Sequence, residues 1–144
     1  MENAKAAVVI DTNTVLDLWG FADPKLAAVR RALEAGDAWR WLATPWMRAE
    51  LHDVLTRAHL QQAFALRSSS WQAVAQAFDA HACVVAPPNP LPMAQRVHCT
   101  DANDQPFLNL ALANGAQLWS KDKAVLKCRK RLAARGVQCL QLLR

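Results

Sequence analysis

Ala6-Ala7-Val8-Val9-Ile10 is a continuous apolar run rich in β-branched residues, and it ends abruptly at Asp11. Continuous rather than alternating apolarity is typical of a strand that helices cover on both faces of a parallel sheet. Open α/β sheets bind ligands beyond the carboxyl ends of their strands. The run therefore predicts a buried strand with Asp11 at the functional end of the sheet. An Asp-Thr-Asn turn that caps the next helix explains the same residue without any function.

Outside this run, helical and strand patterns alternate along the chain. Helices are predicted from Pro24 to a closing Gly36, Thr44-Pro45 to about Leu60, Ser68 to about His81, Asp101 to Asn114 before Gly115, and Lys123 to Arg135 before Gly136. Further strands are predicted over residues 39–43, 83–86, 117–120 and 137–143. Five strands that alternate with helices predict a three-layer α/β/α sandwich around a mainly parallel sheet.

Composition favours one folded domain over residues 1–144. With 144 residues and 53% hydrophobic content, the chain can build one complete core and is too short for two ordinary domains. The N-terminal apolar run is too short for a signal peptide or a membrane span. The cysteines at positions 83, 99, 128 and 139 show no paired spacing, which favours reduced thiols. We therefore expect a cytoplasmic protein that does not bind membranes.

Positive charge is concentrated near the C-terminus. The formal net charge is +5, which favours a polyanionic partner. Seven lysines and arginines lie between residues 121 and 135, and a solvated helix face explains them as well as a nucleic-acid contact does. The candidate nucleic-acid contacts are Lys121, Lys123, Lys127 and Arg131.

Glu50 lies in the second predicted helix, whose apolar stripe consists of Met47, Leu51, Val54, Leu55 and Ala58. At 100° per residue, Glu50 falls on the border of this stripe, whereas Asp53 projects away from it. A border carboxylate can extend to water, and it can equally point into a cleft beside the sheet.

Asp104 is followed at helical spacing by three apolar residues, Phe107, Leu108 and Ala111. It thus heads a stripe that faces the core, where an unpaired carboxylate would be costly. Helix N-capping is the structural alternative, and Pro106 in the first turn supports it. Asp101 would share the same face if the helix began there.

Asp122 follows the fourth predicted strand and directly precedes a helix, so N-capping again competes with a functional role. Three aspartates and one glutamate nevertheless fall in one plausible crevice. Mg²⁺ prefers such oxygen ligands and usually keeps several waters. Without a cation the acids would repel each other, so the cluster is best explained by a bound metal.

Four acidic segments resemble those of the PIN-domain family, especially the bacterial branch of the VapC toxins. They are Val8-Val9-Ile10-Asp11-Thr12-Asn13, Arg48-Ala49-Glu50-Leu51, Asp101-Ala102-Asn103-Asp104-Gln105-Pro106-Phe107-Leu108 and Leu118-Trp119-Ser120-Lys121-Asp122. The likeness covers nearly the whole chain. It implies a parallel sheet ordered 3-2-1-4-5.

The resemblance also implies roles for individual residues. The catalytic and metal-binding acids would be Asp11, Glu50, Asp104 and Asp122, with Asp101 as an alternative to Asp104. Asn13 would hold the carboxylate of Asp11 or a water on the metal, and Ser120 would be the hydroxyl residue that precedes the last aspartate.

By this resemblance, the chain is expected to be a ribonuclease that hydrolyses RNA phosphodiester bonds with Mg²⁺ or Mn²⁺. It would be the toxin of a toxin–antitoxin pair, would bind an antitoxin protein and would form a homodimer. Two alternatives stay open from the residues alone: a non-catalytic binding module with the same fold, and a metal nuclease that acts on DNA. A zinc hydrolase is disfavoured because the histidines and cysteines have no ligand spacing.

Overall fold

A five-stranded, all-parallel sheet forms the centre of the computed structural model, which describes residues 5–143. The strands are β1 (Ala6–Ile10), β2 (Trp39–Ala43), β3 (Ala82–Val84), β4 (Gln117–Trp119) and β5 (Cys139–Leu140). Their spatial order is β3-β2-β1-β4-β5. The predicted fold class and the predicted strand order are therefore confirmed. Residues 1–4 and 144, which the predicted domain includes, lie outside the described residues.

Strand β1 lies in the middle of the sheet and hydrogen-bonds to β2 and β4. Val9 is fully buried and pairs with Leu42 on β2 and Leu118 on β4. Burial of each such aliphatic side chain contributes roughly 1.5–3 kcal/mol. This packing fixes the end of β1, and with it Asp11, at the carboxyl edge of the sheet.

The helices flank the sheet and connect its strands. They are α1 (Thr12–Val15), α2 (Ala27–Ala35), α3 (Pro45–Leu55), α4 (Ala58–Ala65), α5 (Trp71–His81), α6 (Gln105–Asn114), α7 (Lys123–Leu126) and α8 (Arg129–Ala134). A π-helical turn (Leu16–Gly20) follows α1, and 3₁₀ turns cover Pro24–Leu26 and Met93–Gln95. No helix within residues 5–143 is both long and apolar enough to span a membrane.

The segment after Asp11 is helical, which sequence reasoning missed. Most of its side chains, including Leu16 and Leu18, are buried, so it has no polar face to produce an amphipathic pattern. Gly20 is required where the π-helical turn ends, because a Cβ there would lie 2.6 Å from the ring of Phe64.

Two predicted helices are each divided into two. The helix predicted from residue 44 to about 60 ends at Leu55, because the backbone turns at Thr56 and is extended at Arg57. The Thr56 hydroxyl donates to the Asp53 carbonyl oxygen at 2.6 Å, which stabilises this turn. The helix predicted over 123–135 is likewise interrupted, at Lys127 and Cys128.

Several other predicted boundaries were wrong. The helix predicted from Ser68 begins at Trp71, and the strand predicted over 117–120 ends at Trp119. The helix predicted from Asp101 begins at Gln105, because the Asp101 carboxylate accepts the Asn103 N–H at 2.9 Å and stabilises a turn instead. Its C-terminus was predicted correctly, with Gly115 in the left-handed region at φ 59°. Strand β3 covers residues 82–84 instead of 83–86, and β5 covers 139–140 instead of 137–143.

Candidate functional site

Asp11 follows β1 directly and is buried with 1% exposure. It is the N-cap of α1, where its Oδ1 accepts the backbone N–H of Thr14 at 2.9 Å. Its second oxygen, Oδ2, accepts a short hydrogen bond from the hydroxyl of Ser120. The capping explanation of Asp11 is therefore confirmed, and the same side chain also connects β1 to the end of β4.

The burial of Asp11 makes its ionisation unfavourable. Desolvation raises its pKa from 3.8 to about 7, and the nearby negative charge of Asp122 adds to this rise. The hydrogen bonds from Ser120 and Thr14 oppose it. An added positive charge near Asp11 would favour its charged form.

Glu50 lies half-buried on α3, at the border of the apolar stripe as predicted. The Thr12 hydroxyl donates to Glu50 Oε2 at 2.6 Å, so Thr12 connects the acid of α3 to the segment after β1. Burial raises the pKa of Glu50, and the charges of Asp122 and Asp101 raise it further. Thr12 had no predicted role, although its place beside Asp11 at a strand end was a usable signal.

Asp104 and Asp122 occupy the N-cap positions of α6 and α7, but neither side chain makes a capping hydrogen bond. The capping explanation of both acids was therefore wrong. Asp104 is buried at the head of the apolar stripe, as predicted. Desolvation, followed by the charges of Asp122, Asp101 and Glu50, raises its pKa from 3.8 to about 6.

Asn13 holds a different acid from the predicted Asp11, whereas no acid was predicted as the partner of Ser120. Asn13 Nδ2 donates to Asp122 Oδ1 at 3.1 Å rather than to Asp11. Ser120 holds Asp11 instead, and its Oγ also accepts the backbone N–H of Asp122 at 3.1 Å. Asn13 does not contact Asp11 because the two side chains point in different directions. Asn13 is exposed at the start of α1, whereas Asp11 points into the protein towards β4.

Four acidic residues line an open cleft of about 380 Å³ at the carboxyl end of the sheet. We call it the acidic cleft, defined by Glu50, Asp101, Asp104 and Asp122. Asp11 is not among its lining residues and lies behind it, hydrogen-bonded to Ser120. The cleft thus contains three of the four predicted metal-binding acids together with the alternative Asp101.

Asp122 interacts electrostatically with all of the other predicted metal-binding acids. Its charge contributes to the raised pKa of each of the other three predicted acids, Asp11, Glu50 and Asp104. Mutual repulsion of this kind is what a bound divalent cation would relieve.

The donor set of the acidic cleft fits a hard divalent cation. Mg²⁺ is usually bound through one or two carboxylates, with waters and substrate oxygens completing its shell. Among residues 5–143, however, no three His, Cys, Asp or Glu side chains are grouped closely enough to hold a metal ion together. A metal would therefore be held by a subset of Glu50, Asp104 and Asp122.

The predicted cationic contacts lie in different surroundings. Lys123 lines the acidic cleft. Lys121 instead pairs with Asp17 at 2.9 Å, and Arg131 donates to the His98 carbonyl oxygen at 3.2 Å. Lys127 is exposed outside the cleft. Arg57, which sequence reasoning missed, also lines the cleft. It lies seven residues beyond Glu50, and this helical spacing could have identified it.

Comparison with known proteins places the site in a family context. A family model described as PIN domain matches residues 7–118, a segment that includes Asp11, Glu50 and Asp104 but ends before Asp122. None of the curated proteins matches the chain significantly. A solved PilT N-terminus domain protein from the hyperthermophilic archaeon Sulfolobus solfataricus P2 is similar over 94% of this chain and 87% of that chain, with 15% identity and a TM-score of 0.48.

Proposed function

This chain belongs to the PIN domain family, and we propose that it is a Mg²⁺-dependent ribonuclease that hydrolyses RNA phosphodiester bonds. PIN domains are generally nucleases and usually use divalent metals. The observation that carries the proposal is the acidic cleft, where Asp122 lies within electrostatic reach of Asp11, Glu50 and Asp104. Perturbed carboxylates in an open cleft are typical of functional sites.

In this proposal a subset of Glu50, Asp104 and Asp122 holds the metal, with waters completing its shell, and Asp11 lies behind the cleft. Bound Mg²⁺ or Mn²⁺ would supply Lewis acidity, which favours water as a nucleophile and offsets charge on the phosphate. Hydrogen bonds from Thr12 to Glu50 and from Asn13 to Asp122 orient two of these acids.

The substrate of this site would be anionic, which the acids alone would repel. Arg57 and Lys123 line the same cleft and carry the positive charge that attracts a phosphodiester. Lys121, Lys127 and Arg131 would add at most peripheral contacts, because two of them are engaged within the protein and Lys127 lies outside the cleft.

The biological role that we propose is that of a VapC-like toxin. The proposal rests on the four acidic segments, which resemble those of the VapC toxins. The partners would then be an RNA substrate, an antitoxin protein and a second copy of this chain, with residues 1–144 acting as one nuclease domain. A monomer that is harmless when overproduced, from a gene with no small companion gene nearby, would contradict this role.

A non-catalytic module is the second candidate, because no three acids among the described residues are grouped for shared metal binding. Cleavage of matched single-stranded RNA and DNA oligonucleotides, with Mg²⁺, Mn²⁺ or a chelator, separates these functions. We expect metal-dependent cleavage of RNA that stops with the chelator. Cleavage of DNA alone, or of neither strand, would overturn the proposal.

Asp104→Asn tests the role of the acidic cleft directly. Loss of a residue that only hydrogen-bonds to a metal ligand costs about 10- to 100-fold in activity. Loss of a ligand itself should cost more, so RNA cleavage should fall by more than about 100-fold. Asp37→Asn is the matched control, since Asp37 is an exposed acid that precedes β2 at the opposite end of the sheet. Full cleavage by a folded Asp104→Asn variant would remove this residue from the mechanism.

A further inference from the structure

Trp46 is an exposed aromatic residue close to the acidic cleft. Its exposure is 43%, whereas Trp19, Trp41 and Trp119 are buried in the core. The rings of Trp46 and Phe107 form a T-shaped pair, with centroids 6.1 Å apart and an interplanar angle of 72°. Phe107 itself lines the acidic cleft. The indole is thus in contact with a residue of the cleft and partly open to solvent beside the candidate active site.

Helix α3 carries Trp46 on the same side as Glu50. The two residues are four positions apart, which places them on one helical face about 6 Å apart along the axis. Arg57 lies two residues beyond the end of α3 and, like Glu50, lines the acidic cleft. A nucleotide whose phosphate lies near Glu50 would therefore have a base within reach of Trp46.

A shallow groove of about 380 Å³ surrounds Trp46. We call it the Trp46 groove; it is lined by Trp46, Ala49, Glu50, Asp53, Val54, Arg57 and Asn103. Glu50, Val54, Arg57 and Asn103 also line the acidic cleft, so the two depressions are continuous.

We propose that the Trp46 groove binds an unpaired RNA base next to the phosphodiester held at the acidic cleft. The inference rests on the proposed ribonuclease function and adds to it a subsite for single-stranded substrate. An aromatic face binds any base by stacking, and base edges can accept hydrogen bonds from an amide such as that of Asn103.

Two carboxylates, those of Glu50 and Asp53, line the groove. The guanidinium of Arg57 and the exposed ring of Trp46 nevertheless favour RNA over a protein partner as its occupant. Arg57 is exposed, and its nearest carboxylate oxygen, on Asp53, is 4.0 Å away, so its guanidinium can pair with a phosphate. A stacked base also explains single-strand selectivity, because the bases of a duplex stack on each other and are not free to cover Trp46.

Trp46→Ala tests the inference through RNA binding rather than cleavage. Fluorescence anisotropy with a labelled single-stranded RNA, in chelator, should show about 5- to 150-fold weaker binding, which is the range for loss of one base–aromatic stack. Trp46→Phe should retain most of the affinity, because it keeps an aromatic face. Trp71→Ala is the matched control, since Trp71 is 38% exposed on α5 and lines neither depression.

Two further measurements distinguish stacking from a structural role. The same RNA annealed to its complement should bind more weakly and should be unaffected by Trp46→Ala. In cleavage assays with Mg²⁺, KM should rise while kcat stays nearly unchanged. Equal melting temperatures for the variants would show that the fold is intact.

Several results would overturn the inference. Unchanged binding by Trp46→Ala, while the unmodified protein binds and cleaves RNA, would remove the subsite and leave the ribonuclease function standing. Equal losses on single-stranded and duplex RNA, or an equal loss in Trp71→Ala, would exclude stacking. Loss of self-association with unchanged RNA binding would identify the groove as a protein interface. Absence of both binding and cleavage in the unmodified protein would overturn the proposed function as well.

Discussion

Asp11→Asn should stabilise the metal-free protein, and the gain should grow with pH. The substitution keeps the size of the side chain and removes its charge. Its carbonyl oxygen can still accept the Thr14 N–H, and its amide can donate to the Ser120 hydroxyl oxygen. The variant therefore resembles the protonated form of Asp11, which burial favours.

The size of the stabilisation expected for Asp11→Asn follows from the pKa of Asp11. A rise from 3.8 in the unfolded chain to about 7 in the folded protein corresponds to about 4 kcal/mol. Well below pH 4 both states are protonated, so ionisation has no effect on stability. Between pH 4 and pH 7 the unfolded chain loses the proton first, and the folded protein is progressively destabilised. Linkage gives a destabilisation of about 2 kcal/mol at pH 5 and about 4 kcal/mol at pH 8.

The assay is urea denaturation in chelator, at pH 5 and pH 8, for the unmodified protein and the variant. Other groups that titrate over this range, including Asp104, are common to both proteins and largely cancel in the difference. The variant should be more stable, and its free energy of unfolding should exceed that of the unmodified protein by about 2–3 kcal/mol more at pH 8 than at pH 5. We call this difference between the two proteins the stability gap. Added Mg²⁺ should narrow the stability gap at pH 8, because a bound cation stabilises the charged form of Asp11.

A stability gap that stays constant between the two pH values would refute this reasoning about burial. So would a variant that is less stable than the unmodified protein at pH 8. The same variant should lose Mg²⁺-dependent RNA cleavage and retain salt-sensitive RNA binding. Undiminished cleavage by the folded variant would remove Asp11 from the mechanism.

Two further substitutions test the support of the site and the packing behind it. Ser120→Ala removes the hydroxyl that donates to Asp11 and accepts the Asp122 N–H, so cleavage should fall about 10- to 100-fold, measured as kcat/KM against a melting control. Full activity would make this hydrogen-bonded link dispensable. Gly20→Ala would place a Cβ 2.6 Å from the buried ring of Phe64, and urea denaturation should show a destabilisation of about 1–3 kcal/mol. Unchanged stability would mean that this ring can move aside.

The sequence predicts the sheet well because its strands carry strong local signals. The β-branched run of β1 and the glycines that close α2 and α6 mark elements whose type does not depend on distant residues. The helix after Asp11 was missed because burial on nearly all sides removes the amphipathic pattern. The break between α3 and α4 is stabilised in part by a hydrogen bond from the Thr56 hydroxyl, which a periodic pattern does not reveal.

The positions of the acids were likewise predictable, whereas their partners were not. Strand ends and helix starts indicated where Asp11 and Asp122 would lie. The partners of these two acids, Ser120 and Asn13, are each 109 residues distant in the chain. Spacing along the sequence gives the face on which a side chain lies but not its rotamer, so neither pairing could be derived from the sequence.

Two acids of the cleft occupy helix N-cap positions without making a capping hydrogen bond, which supports a functional role for the acidic cleft. If Asp104 and Asp122 served only to cap helices, their oxygens would accept backbone N–H groups of α6 and α7, and neither does. Burial and mutual repulsion instead make ionisation of Asp104 unfavourable, which a purely structural site would avoid by an asparagine or a serine. These acids destabilise the fold when they ionise, yet they lie in an open cleft that Arg57 and Lys123 also line. A ligand that binds to the charged side chains best explains this arrangement.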